Sequence, residues 1–283
     1  MALQLDDSTV LITGASSGIG RSLARLIAPR ARVLALVARR HDRLEALRDE
    51  LVAAHPKLSV KLLPCDLADV AQTERLVDAI ATQVGTVDVL INNAGVGDFG
   101  VFDRVSWSRT QEMIALNVTS LVLLTHRLVP AMVARGHGGV LNVSSGYGLG
   151  FTPGFAAYIG SKHFVTGFTE GLRLDLTGTG VVVTQVCPGP VKTEFADRVG
   201  YPGGKDLVPG FVYQREEDCA QEALDGFLDE RALVITGWVM KVAWFFMGLT
   251  PRFIQRAVQL GFARMVRQQA LAAGDEPPPK QLS

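Results

Sequence analysis

The sequence predicts an α/β protein in which one doubly wound domain carries a parallel sheet covered by helices on both faces. Three observations point to it. Short β-branched runs recur along the chain, stretches of helical periodicity separate them, and turns rich in glycine or asparagine follow several of the runs. Such alternation requires right-handed crossovers and a sheet buried on both sides. A ligand then lies beyond the carboxyl ends of the strands, where their order reverses.

The candidate strands are Thr9 to Thr13, Arg32 to Ala38, Ser59 to Leu63, Val87 to Ile91, Val140 to Val143, Val181 to Val186 and Ala232 to Ile235. The first runs into TGASSGIG, Thr13 to Gly20. Glycine lets a backbone turn tightly and approach a pyrophosphate closely, while the start of a helix offers free amides and a positive dipole end. Gly14, Ser16, Ser17, Gly18, Ile19 and Gly20 are therefore expected to hold a dinucleotide, although a plain tight turn would use the same glycines. Arg39 and Arg40 follow the second strand, where NAD users favour an acid on the ribose hydroxyls. Two guanidinium groups suit a phosphate instead and predict NADP. The alternative is a solvated basic helix start ahead of Asp42.

Further along, Tyr158 and Lys162 stand four residues apart, thirteen and seventeen residues after Ser145. Ala156 to Leu176 contains no proline and places Phe164, Phe168 and Leu172 at fourfold spacing, so it predicts an amphipathic helix with the phenol and the ammonium on one face. A neighbouring cation favours the phenolate and is expected to lower the tyrosine pKa from about 10, each unit being worth roughly 1.4 kcal/mol. That tyrosine would exchange a proton with a carbonyl or alcohol oxygen. Tyr201 and Lys205 repeat the spacing, but Pro202, Gly203 and Gly204 between them break any helix.

Composition narrows the classes. The chain has 283 residues, 48% of them hydrophobic, and no net charge, which argues against a nucleic-acid surface. Its three cysteines, Cys65, Cys187 and Cys219, are widely spaced and read as free thiols of a reducing compartment. The first residues carry acids and no long apolar run, so no secretory signal is expected and a cytoplasmic location is. The five histidines form no ligand-like cluster, and no metal is expected.

The motifs together resemble the classical short-chain dehydrogenase/reductase family, from about Asp7 to Thr193. Beyond the glycine turn and the tyrosine segment they include Asp66-Leu67, Asn92-Asn93-Ala94-Gly95, Asn117, and Pro188-Gly189-Pro190-Val191-Lys192-Thr193. The resemblance implies a single Rossmann-type domain with a seven-stranded parallel sheet, and dimers or tetramers. It also implies that Asp66 and Leu67 meet the adenine, that Asn93, Ala94 and Gly95 line its ribose, and that Gly189, Val191 and Thr193 hold the nicotinamide end. Ser145 would then bond the substrate oxygen, Tyr158 exchange the proton, Lys162 grip the nicotinamide ribose, and Asn117 hold a water. Bland alternatives are that Asp66 caps a helix and that Pro188-Gly189 is an ordinary turn. Tyr147 is divided between pocket and packing.

After Thr193 the resemblance thins. Gly200 to Gly210 is rich in glycine and proline and suits either a lid or a surface loop. Arg231 to Gly274 carries six basic residues and no acid. Its apolar run Trp238 to Leu249 is shorter than the roughly 20 residues that span a bilayer. Residues 238–267 therefore have three readings: core and dimer interface, the wall of a pocket for a lipid-like substrate, or contact with an anionic membrane surface. The expected organisation is a catalytic domain over 1–230, a helical extension of it over 231–274 and a disordered tail over 275–283. The function that follows is an NADP-dependent oxidoreductase, working as a reductase on an apolar ketone or aldehyde that is steroid-like, retinoid-like or acyl. Alternatives are a 3-oxoacyl thioester reductase and a non-catalytic dinucleotide sensor.

Overall fold

The computed structural model of the chain describes residues 3–199 and 210–272. The Tyr201/Lys205 pair, nearly all of the glycine- and proline-rich segment and the tail from 275 lie outside the described residues. All seven predicted runs are strands: β1 (Thr9–Thr13), β2 (Val33–Ala38), β3 (Ser59–Pro64), β4 (Val89–Asn92), β5 (Gly138–Val143), β6 (Val181–Cys187) and β7 (Leu233–Ile235). They form one parallel sheet in the order β3-β2-β1-β4-β5-β6-β7. The order reverses between β1 and β4, which opens the crevice where ligands of such sheets bind.

The connecting helices are α1 (Gly18–Ile27), α2 (His41–Ala54), α3 (Val70–Gln83), α4 (Trp107–Ile114), α5 (Ser120–Arg135), α6 (Ala156–Asp175), α7 (Glu194–Val199), α8 (Glu216–Leu228), α9 (Trp238–Leu249) and α10 (Arg252–Ala272). Side chains alternate across each strand, so both faces of the sheet need cover. Val10, Ile12, Leu34, Leu36, Val89 and Ile91 pack with α1, α2 and α8 through Leu23, Ile27, Leu44, Leu47, Leu224 and Phe227. Leu11, Ala35, Val37 and Leu90 pack on the other face, against Leu76 and Ile80 of α3 and Leu124, Val129 and Met132 of α5. The central strands are buried on both sides for this reason, and their sequences read as nearly continuous apolar runs.

Helices α4 and α5 are continuous through a π-helical turn at Ala115–Thr119. Trp107–Arg135 is long and apolar enough to cross a membrane by length and composition. Its α5 portion is core here, with Leu121, Leu124, Val129 and Met132 buried.

Candidate active site

At the crevice the loops after β1 and β4 are laced together. The Thr13 hydroxyl accepts from the amides of Asn93 (2.9 Å) and Ala94 (3.0 Å), and the Asn93 side-chain amide donates to the Thr13 carbonyl at 2.9 Å. Gly14 and Gly18 have φ of +67° and +57°, a left-handed conformation that favours glycine. Helix α1 starts at Gly18 with no acid in its first turn and no side-chain cap from Ser17, so its leading amides and dipole remain available to an anion. Gly20 has a different task. A Cβ there would collide with the Asn93 amide and the Gly14 carbonyl, so Gly20 allows the turn to close and does not itself line the cleft.

The two arginines after β2 part company. Arg40 turns toward the glycine loop and donates to the hydroxyls of Ser16 (3.1 Å) and Ser17 (2.8 Å). Arg39 turns the other way, 3.2 Å from Glu112 and 3.7 Å from Asp66. Asp66 accepts from the Ala68 amide at 3.1 Å, and the cap of α3 is Asp69, not Asp66.

At the opposite end of the cleft, β5 and α6 bring Ser145, Tyr158 and Lys162 together. Buried polar contacts set the register of α6. Asn142 donates to Thr169 at 3.0 Å, and the Ser144 hydroxyl donates to the Lys162 carbonyl at 3.0 Å. The Lys162 ammonium donates to the Val143 carbonyl at 3.0 Å and stands 6.0 Å from the centre of the Tyr158 ring. The Ser145 oxygen accepts from the Tyr147 amide at 3.1 Å, and its hydroxyl shares a hydrogen bond with the Tyr158 hydroxyl.

Burial dominates the titration of this set. It lowers Lys162 to about 8 and pushes the Tyr158 phenol above its ordinary value, opposed only in part by the Ser145 hydrogen bond, while Tyr147 and Cys187 push it further up. The expected lowering of the tyrosine pKa by its lysine is thus reversed. Desolvation of a phenol at 5% exposure outweighs a cation 6.0 Å from the ring.

Asn117 lies in the π-helical turn, whose extra residue turns the side chain toward the loop after β4. Its amide is held on three sides: it accepts from the Val96 amide (2.9 Å) and donates to the Val96 carbonyl (2.9 Å) and the Ser161 hydroxyl (3.0 Å). Gly95 sits between this amide and the lysine, since a Cβ there would lie 3.2 Å from the Asn117 oxygen and 3.3 Å from the Lys162 ammonium.

A cleft of about 460 Å³ joins the two ends, within the size range of ligand pockets. Gly14, Ser16, Ser17, Gly18, Ile19, Arg39, Arg40, Asp66, Leu67, Asn93, Ala94, Gly95, Ser145, Tyr158, Lys162, Gly189, Val191 and Thr193 all line it. Its shape, its open helix start and its basic corner at Arg40 fit a dinucleotide phosphate. The substrate end contains Tyr147 together with Phe155 and Phe195, which sequence reasoning did not single out. Tyr147 stacks on Phe155 with centroids 5.2 Å apart, and Phe195 lies 5.6 Å from Tyr158. Tyr147 therefore both packs and lines the pocket. Met240 and Trp244 of α9 close the remaining wall. Their fourfold spacing within the apolar run was the available signal.

The doubly wound sheet and this cleft define a Rossmann-type nucleotide-binding protein. The chain belongs to the short-chain dehydrogenase family, whose model matches residues 8–201, and it is accordingly an oxidoreductase. It is 40% identical over 223 residues to a sulfoacetaldehyde reductase of Chromohalobacter salexigens, covering 75% of this chain and 85% of that one. It is 38% identical over 191 residues to the granaticin polyketide synthase putative ketoacyl reductase 1 of Streptomyces violaceoruber, covering 67% and 70%. A short-chain dehydrogenase from Sphingobium yanoikuyae, solved in complex with NADPH, superposes with a TM-score of 0.78 at 30% identity, covering 88% of this chain and 95% of that one.

Proposed function

We propose that the protein is an NADPH-dependent reductase of an apolar ketone or aldehyde. The observation that carries this reading is the cleft itself, with an arginine and two serine hydroxyls at one end, a buried Ser145/Tyr158/Lys162 set at the other, and an apolar far wall. The structural relative with bound NADPH supports the cofactor. Arg40, Ser16 and Ser17 would hold the phosphate of the adenosine ribose, the start of α1 the pyrophosphate, and Lys162 the nicotinamide ribose. When bound, the cofactor supplies a hydride to the carbonyl carbon.

The chain's own groups do the rest. Ser145 positions the carbonyl oxygen by turning its O–H from Tyr158 to the substrate, and Tyr158 delivers the proton to the alkoxide that develops there. A phenol is protonated at neutral pH and burial keeps it so, which leaves Tyr158 with a proton to give. Asn117 acts as a positioning residue that ties the loop after β4 to α6 through Val96 and Ser161. The set Asn117, Ser145, Tyr158 and Lys162 argues for turnover over a sensor role.

Tyr147, Phe155, Phe195, Met240 and Trp244 favour an apolar substrate body over a sugar. An acyl thioester reductase is the second reading, favoured by the ketoacyl reductase relative. On the outer face of α9, Trp238, Phe245, Phe246 and Leu249 are exposed beside Arg252 and Arg256, which supports peripheral contact with an anionic bilayer through 238–267. The test is NADPH oxidation against steroids, retinals, aliphatic ketones, 3-oxoacyl thioesters and sugars. The highest kcat/KM is expected on a bulky apolar carbonyl, and a sugar as best substrate would refute the assignment.

A further inference from the structure

The groups proposed to receive the cofactor's 2′-phosphate already face an anion. The Arg40 guanidinium that touches Ser16 and Ser17 also donates to the Glu194 carboxylate at 2.7 Å, and Arg43 pairs with the other oxygen of that carboxylate. The two guanidinium groups hold the Glu194 pKa far down, at about 2, so the carboxylate is charged throughout the physiological range. Arg39 is engaged elsewhere, with Glu112 and Asp66, which leaves Arg40 as the guanidinium beside the serine hydroxyls.

Glu194 follows Thr193 at the nicotinamide end of the cleft and is the first residue of α7. Its neighbour Phe195 lies against Tyr158, and a Cβ at Gly97 would come within 2.7 Å of the Phe195 ring. Two adjacent residues of α7 therefore connect the phosphate corner to the reacting phenol.

Resting on the NADPH reading above, we infer that Glu194 is a specificity-determining residue that stands in for the 2′-phosphate in the free protein and is displaced when the phosphorylated cofactor seats. The exchange is between like charges on one donor set. A phosphate carries about −1.5 to −2 and three strong acceptor oxygens against the single charge of a carboxylate, so it wins. A cofactor without that phosphate has nothing to exchange and leaves the bridge closed. Glu194 thus reduces affinity for NADPH by the free energy of the bridge.

The test is binding of NADPH, NADH, 2′,5′-ADP and ADP to the full chain by calorimetry, in wild type, Glu194→Gln, Glu194→Asp and Arg40→Ala. Removing the competing charge in Glu194→Gln is expected to tighten NADPH and 2′,5′-ADP about 5- to 20-fold while moving NADH and ADP less than about 2-fold. Glu194→Asp, which keeps the charge, is expected to stay near wild type. A merely structural role would move all four ligands alike, and that result, or unchanged or weaker NADPH binding in Glu194→Gln, overturns the inference. Arg40→Ala separates the two levels. If it weakens 2′,5′-ADP while Glu194→Gln is neutral, only the role of Glu194 falls; if it leaves 2′,5′-ADP unaffected, the NADPH reading falls with it.

Discussion

Helices α6 and α9 wall the same cleft and are held there by opposite means. Helix α6 carries Tyr158, Ser161, Lys162 and Thr169 fully inside, and hydrogen bonds from Ser144, Asn142 and Asn117 set its position. Helix α9 has no fully buried residue. It is seated by Met240 against Gly189, by Trp244 against Gly146 and Gly150, and by one exposed ion pair from Lys241 to Glu222. Buried polar networks impose one geometry because each unsatisfied group is costly, whereas apolar contact tolerates shifts. The reacting end is thus built for geometry, and the substrate end for shape.

The sharpest way to break this contrast is at the phenol. Tyr158→Phe removes the proton donor and keeps the packing, so steady-state turnover is expected to fall by about a thousandfold with NADPH binding nearly unchanged. Turnover at the wild-type rate would leave α6 as mere scaffold. Next comes Gly95→Ala, which wedges a methyl between Asn117 and Lys162. Because these contacts require a shift of only a few tenths of an ångström in a reacting set where 1 Å costs up to about 100-fold, kcat/KM is expected to drop up to about tenfold with little change in Tm.

The lysine gives a pH signature. Its folded value of about 8 lies below the ordinary 10.5, so between those values the unfolded chain binds more protons than the native one. The lysine's own contribution to stability should then rise with pH across that window, by roughly 1 to 3 kcal/mol, against a fall from Cys65, Cys187 and Cys219, whose burial pushes their thiols up to about 11 to 12. The stability difference between wild type and Lys162→Met in urea titrations should therefore move in favour of wild type as pH rises from 8 to 10.5, and a difference that does not change with pH would show that Lys162 does not titrate there.

Helix α9 should respond in specificity. Trp244→Ala is expected to change the ratio of kcat/KM between bulky and small ketones about tenfold. Phe245→Ser with Phe246→Ser, on the outer face, should alter stability by no more than about 0.5 kcal/mol and abolish co-sedimentation with anionic vesicles. Undiminished sedimentation would remove the membrane contact.

Legibility in the sequence follows the same division. The strands and the glycine turn were readable because their signals are local, in backbone sterics and in alternating burial. Tyr158 and Lys162 were readable because helical spacing places them on one face. Their titration was not, since desolvation depends on what Met113, Phe195 and Val199 bring from distant segments to join Tyr147 and Phe155 around the phenol. Arg39 and Arg40 read as equivalent in the chain, yet one faces the serine hydroxyls and the other faces Glu112. The apolar run at 238–249 announced burial without saying against what. The structure answers with a pocket wall on its inner face and exposed aromatics on its outer one.

What the sequence determined by itself was the strand–helix alternation, the turn that opens toward a nucleotide, and the order of the reacting residues, since each depends on neighbours within a few positions. Only the tertiary structure decided the charge state of the site, the division of labour between the two arginines and the reach of Glu194 across 154 residues to Arg40. Those depend on desolvation and on distances between segments far apart in the chain, and no local pattern encodes them.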